Sequence, residues 1–164
     1  MGEGRLRKEI GKRGAFDSSE EELLLNLLRT HDQLQIRFVR LFREHGLTPA
    51  QYNILRILRG EGRPLPCLEI ASRLLTIVPG ITGLIDRLEA LGLVMRLRGD
   101  ADRRVIYVAI TEAGQERLAG VDEPLRRLHR ELVGHLEPGE QRELIRLLEK
   151  ARAGRDAGAA DHDE

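Results

Sequence analysis

Residues 47–60 read LTPAQYNILRILRG, residues 68–92 read LEIASRLLTIVPGITGLIDRLEALG, and residues 93–111 read LVMRLRGDADRRVIYVAIT. Thr48 and Pro49 open the first run as an N-cap with proline at the first helical position. Tyr52, Ile54, Leu55, Ile57 and Leu58 recur as one apolar helical face. Residues 60–66 read as a loop. A further helix is expected over about 66–75, and Thr76, Ile77 and Val78 form a turn. Pro79 then begins a helix that reaches Leu91 and is closed by Gly92. Two strands follow. In 93–98, Leu93, Met95 and Leu97 take one face and Arg96 and Arg98 the other, while 105–110 is β-branched and apolar. The polar turn 99–104 joins them. The order is helix, helix-turn-helix, and a hairpin with an arginine-rich tip. A helix sized for a DNA major groove sits beside a basic hairpin suited to the neighbouring minor groove, and few other tasks need that order of parts.

The flanks extend this centre in both directions. Residues 1–16 are basic and lack apolar periodicity, which predicts a flexible arm. Asp17, Ser18 and Ser19 followed by Glu20, Glu21 and Glu22 are capping side chains, then acids against the positive end of a helix. That helix should occupy the segment 17–46, ending at Gly46. Its apolar positions include Leu24, Leu27, Leu28, Leu34, Phe38, Leu41 and Phe42. The winged part spans 47–110. Thr111 and Glu112 cap a helix within 111–153 that Pro124 should kink or divide, because proline removes a backbone donor. Pro138 opens the last helix. Residues 154–164 are rich in Gly, Ala and Asp and predict disorder. The fold class is mainly α with a small β hairpin, a winged helix-turn-helix between N- and C-terminal helices. Amphipathic helices at both chain ends, without an evident core of their own, suit a two-fold interface. A two-fold dimer matches a palindromic DNA site.

The chain has 164 residues, 41% of them apolar, with 27 basic and 27 acidic side chains. Three phenylalanines, two tyrosines and no tryptophan leave the core to Leu, Ile and Val, and they disfavour a stacking platform for single strands. Zero net charge argues against DNA binding, where a basic excess is usual. The distribution answers part of that objection. Arg5, Arg7, Lys8, Lys12 and Arg13 make the start basic, and Arg96, Arg98, Arg103 and Arg104 gather at the hairpin. The single cysteine excludes an internal disulfide and points to a reducing compartment. No run approaches a membrane span, and the basic start lacks the apolar core of a secretory signal. A cytoplasmic protein is expected. No two of His31, His45, His129, His135 and His162 share a helical metal-ligand spacing, so no metal is expected. The three serines form no plausible triad, and phosphate-cradling glycine patterns are missing, so neither catalysis nor a cofactor is expected.

The stretches GLTPAQYNILRIL, IASRLLTIVPGITGLIDRLEALGLV, and DADRR followed by VAITEAG resemble MarR-type transcription regulators. The likeness covers about 19–150 and is most specific at 47–114. Its strongest motif is an Asp-x-Arg at Asp102 and Arg104, ahead of Ile-Thr-x-x-Gly ending at Gly114. The resemblance implies an obligate homodimer with 78–91 as recognition helix and 93–110 as wing. It implies that Arg104 enters the minor groove with Asp102 beside it to hold it. It also implies that a small ligand or an oxidation event relieves DNA binding, through a cleft between the dimer helices and the winged part.

The groove-facing start of the recognition helix is Val78, Pro79, Gly80, Thr82 and Gly83. None of these makes a bidentate bond to guanine or adenine. Thr82 can meet a phosphate or a thymine methyl, and Gly80 can offer its backbone N–H to a phosphate. Specificity would therefore lean on groove shape and the wing. Arg87 either contacts DNA or pairs within its helix with Asp86 or Glu89. Arg103 and Arg104 either contact DNA or form weak surface pairs with Asp100 and Asp102. His31 and Tyr52 are either hydrogen-bonded interface residues or polar groups in an effector cleft. Cys67 is either a redox sensor or a small buried hydrophobe. The expected function is a dimeric DNA-binding regulator, a repressor released by a small aromatic or phenolic effector. The alternative is a winged-helix protein-interaction module without operator binding.

Overall fold

In the computed structural model, residues 5–76, 78–98 and 105–156 are described. Helix α1 spans Arg5–Glu9, α2 Ser19–Glu44 and α3 Pro49–Glu61. Strand β1 spans Leu65–Pro66, followed by α4 (Cys67–Ser72) and α5 (Ile81–Ala90). Strands β2 (Val94–Arg98) and β3 (Ile106–Ile110) lead into α6 (Glu112–Val133) and α7 (Pro138–Asp156). The caps are those the sequence encodes. Ser18 accepts the Glu21 N–H at 3.1 Å, while the Glu21 carboxylate accepts the Asp17 N–H at 2.6 Å. Thr48 and Gln51 form a reciprocal box at 3.2 and 2.9 Å. Helix α2 ends where Leu47 donates its N–H back to the Phe42 carbonyl at 2.9 Å.

The three strands are antiparallel in the order β1-β3-β2, with Val94 opposite Ile110, Arg96 opposite Val108 and Leu65 opposite Val108. Their inner face meets the helices. Ile54, Leu55 and Leu58 of α3, Leu65, Ile70 of α4, Ile85 and Leu88 of α5, Val94 and Val108 are all fully buried. Leu118 and Val121 of α6 are buried as well. A core of branched aliphatics is what a chain this poor in aromatics must build.

Two compact units divide the chain, Met1–Asp122 and Glu123–Glu164, with the boundary inside α6. In the second unit, Gln141 donates to the Leu136 carbonyl at 3.0 Å and the Glu137 N–H reaches the Glu140 carboxylate at 2.8 Å. Val133, Leu144, Ile145 and Leu147 stay exposed there. No helix among the described residues is long and apolar enough to cross a membrane.

Several expectations need correction. The hairpin gains a third strand, because Leu65 and Pro66 pair with β3. Proline is tolerated at such an edge, where its missing donor faces no partner. The two faces of β2 alternate as read, and it is the arginine face that turns toward the helices. Val94 and Arg96 point inward, and Met95 and Leu97 are 46% and 40% exposed. Leu93, Val94 and Met95 are all apolar, so alternation alone does not choose a face. Pro79 starts no helix; α5 begins two residues later. Helix α6 runs unbroken through Pro124, at the loss of one backbone bond. Within the segment 1–16 taken as a flexible arm, residues 5–9 are helical, Leu6 is buried, and Glu9 lies 3.8 Å from Arg29 of α2. A helix of five residues with one apolar anchor shows no periodicity to read. Helix α7 continues to Asp156, past the start of the tail expected from 154.

Candidate nucleic-acid interface

The turn before α5 and the exposed face of α5 carry the residues singled out for DNA contact. Val78 is half-buried and Pro79 and Gly80 are exposed. Gly80 takes a left-handed conformation (φ 75°, ψ 50°) and accepts the Gly83 N–H at 3.0 Å. A side chain would strain that conformation, which explains glycine there. One turn on, Thr82 is exposed and Gly83 half-buried, while Ile85 and Leu88 bind the opposite face to the core. A Cβ placed on Gly80 or on Gly83 would meet nothing within 4 Å. The helix start is thus a low, open surface. Arg87, one turn past Gly83, is exposed.

Arg96 reaches this helix from β2. Its guanidinium donates to Asp86 at 2.6 Å and also to Glu89, and its backbone N–H donates to Glu89 at 3.1 Å. The pairing holds Arg96 above its ordinary pKa, chiefly through the bond to Asp86. Two expectations change as a result. The acids that flank Arg87 in sequence are engaged by Arg96, and Arg87 has no acidic partner among the described residues. Arg96, grouped from sequence with the basic hairpin, is instead turned inward. Its signal was its place two residues from buried Val94 on one strand face. Arg98 remains exposed, without an acidic partner among the described residues. Asp102, Arg103 and Arg104 lie outside the described residues. The paired strands reach to Arg98 opposite Ile106 at the base of their turn.

The effector candidates are not brought together. Tyr52 is buried, and its ring stacks on Phe42 at 4.3 Å and 18°. Burial raises its pKa above the ordinary value. His31 is exposed on α2, 11 residues before Phe42, about 16 Å at 1.5 Å per residue. Cys67 is half-buried at the start of α4. A hollow of about 230 Å³ at the base of the wing, missed from sequence, is walled by Leu58, Pro64, Ala109 and Ile110. Arg59 and Arg63 line it too, but Asp122 and Glu61 already engage them at 2.8 and 2.7 Å. An arriving anion finds no unengaged cation there.

Residues 47–106 match the sequence profile of the MarR family. The uncharacterized HTH-type transcriptional regulator YkoM of Bacillus subtilis is 34% identical over 143 residues, covering 84% of this chain and 91% of its own length. The crystal structure of a MarR transcription factor from Planctomyces limnophilus has 43% identity and a TM-score of 0.64, over 82% of this chain and 98% of that one. Bordetella bronchiseptica BpsR, whose DNA binding is regulated by 6-hydroxynicotinic acid, has 26% identity and a TM-score of 0.72, over 85% and 98%. This chain belongs to the MarR family of winged-helix, DNA-binding transcription regulators.

Proposed function

We propose that the protein is a homodimeric repressor that holds a palindromic operator and releases it when a small aromatic or phenolic acid binds. The observation that carries this reading is the open, uncharged start of α5 beside a strand bonded to the same helix. In this reading the Gly80 backbone and Thr82 meet phosphate or a thymine methyl, with Val78, Pro79 and Gly83 packing close by. Arg87, Arg103 and Arg104 supply charge, and Asp102 orients Arg104. Such a surface discriminates by groove shape more than by base edges. The protein works in the cytoplasm and performs no catalysis.

Dimerisation is supported by apolar side chains that one copy leaves in water. Helix α2 is 26 residues long and buries only Phe42, while Leu23, Leu24, Leu28 and Ile36 are exposed. Leu144, Ile145 and Leu147 of α7 are exposed too. Covering them from a second copy is the ordinary resolution of such patches. Effector release is supported by the likeness to BpsR. His31 is the polar group offered to such a ligand; Tyr52, its ring packed on Phe42, contributes no more than its hydroxyl.

The test joins sedimentation with DNA titration. A dimer at micromolar concentration should bind duplex DNA with an affinity that falls steeply with salt, through counterion release. 6-Hydroxynicotinate or a phenolic acid should release it. A monomer, or salt-independent binding, contradicts the proposal; a dimer that ignores all duplex DNA favours the interaction-module alternative.

A further inference from the structure

We propose that Arg96 is the positioning residue of the DNA-binding surface: by bridging Asp86 and Glu89 it fixes strand β2 at one angle to α5, so that helix and strand meet the groove as one rigid body. The inference rests on the DNA-binding reading and goes beyond it, because it assigns specificity to a residue that need not touch DNA.

Helix α5 is poor in base-reading side chains. Its groove-facing start offers no side chain for bidentate base readout, so discrimination must come from shape. Shape is read by two probes held at a fixed separation, whereas a loosely attached hairpin would follow a groove of any width. Along β2 the anchorage runs out quickly. Val94 is buried, Arg96 is half-buried, and Leu97 and Arg98 are exposed. Arg96 is therefore the outermost residue of β2 that the described structure bonds to α5. Its planar fork and its own N–H give directional bonds to two side chains spaced one turn apart on that helix. A guanidinium does this with a rigid planar fork, which the freely rotating ammonium of a lysine lacks.

Electrostatics supplies a test of opposite sign. Asp86 and Glu89 lie on the helix offered to a polyanion. Neutralising them should tighten DNA binding if charge were their only role, and weaken it if they hold β2 through Arg96. The experiment titrates wild type, Arg96→Gln and the double variant Asp86→Asn/Glu89→Gln against two duplexes. One carries the operator with A·T flanks, the other the same half-sites with G·C flanks; thermal midpoints are recorded in parallel. Wild type should prefer the A·T duplex. Both variants should bind it about tenfold more weakly, the factor set by 1.4 kcal/mol, and should lose the flank preference with their midpoints little moved. Tighter binding by Asp86→Asn/Glu89→Gln overturns the proposal, as does a retained flank preference in both variants. Should either variant unfold, Arg96→Lys keeps the charge and loses the fork. Loss of flank preference in it supports the proposal, and full retention overturns it. A wild type that binds no duplex removes the DNA-binding reading itself, and the proposal with it.

Discussion

The Thr111 hydroxyl donates to the Gly92 carbonyl at 2.7 Å, joining the end of α6 nearest the sheet to the residue that closes α5. The same oxygen accepts the Gly114 N–H at 3.1 Å, and the Thr111 N–H reaches the Leu93 carbonyl at 3.1 Å. This explains the threonine and glycine of the Ile-Thr-x-x-Gly run. A Cβ on Gly114 would sit 2.2 Å from the Leu93 carbonyl oxygen, which is backbone and cannot swing aside. Gly114→Ala should therefore destabilise the protein by about 1–3 kcal/mol, the usual range for overpacking. Chemical denaturation checks this, and an unchanged midpoint would contradict it.

Gly83 makes the opposite case. It lies inside α5, where alanine is favoured over glycine by up to about 1 kcal/mol, and a Cβ there meets nothing within 4 Å. Gly83→Ala should melt at a higher temperature than wild type, yet bind DNA more weakly, because the added methyl stands where the DNA backbone is proposed to approach. Higher stability with unchanged affinity would remove Gly83 from the interface.

Much of this fold was legible in the sequence because its signals are local. The capping side chains read before α2 and Thr48 before α3 do cap those helices, Ser18 and Thr48 each accepting the N–H of a residue three positions on, Glu21 and Gln51. What escaped depends on distant partners. The inward turn of Arg96 is decided by Asp86 and Glu89, ten and seven residues away on another element. Strand β1 is two residues that become a strand only beside β3. Helix α1 owes its visible order to Leu6, buried although its neighbours are polar. Pro124 misled for the converse reason: a local rule forecast a break, and the long helix tolerates one missing bond. For the candidate site, the open start of α5 was legible because it depends on residue type, whereas the engagement of Arg96 was not.

Tyr52 should report the core through its ionisation. Burial disfavours the phenolate, so its folded pKa lies above the ordinary value of 10.0. The tyrosine's contribution to stability is then intact below about pH 10 and is lost as pH rises from there through the folded value. In a Tyr107→Phe background, where Tyr52 is the remaining tyrosine, ultraviolet titration should give a phenolate midpoint above the ordinary 10.0. Ionisation near neutrality with the fold intact would place Tyr52 in a polar cleft rather than behind Phe42.

Arg104 and Asp102 test the hairpin tip. Arg104→Ala should weaken operator binding by about 1–3 kcal/mol, the scale of a good specific contact, with folding nearly unchanged. Asp102→Ala should weaken it as well, although it removes a negative charge near a polyanion. Tighter binding by Asp102→Ala would mean that Asp102 does not orient Arg104.

The most direct measurement is selection of bound sequences from random duplex DNA at low salt. A dimeric winged-helix regulator should enrich an inverted repeat with half-sites about one helical turn apart, with A·T-rich steps where the wings enter the minor groove. Selection that enriches no sequence would contradict operator binding and leave a winged-helix fold used for contact with another protein.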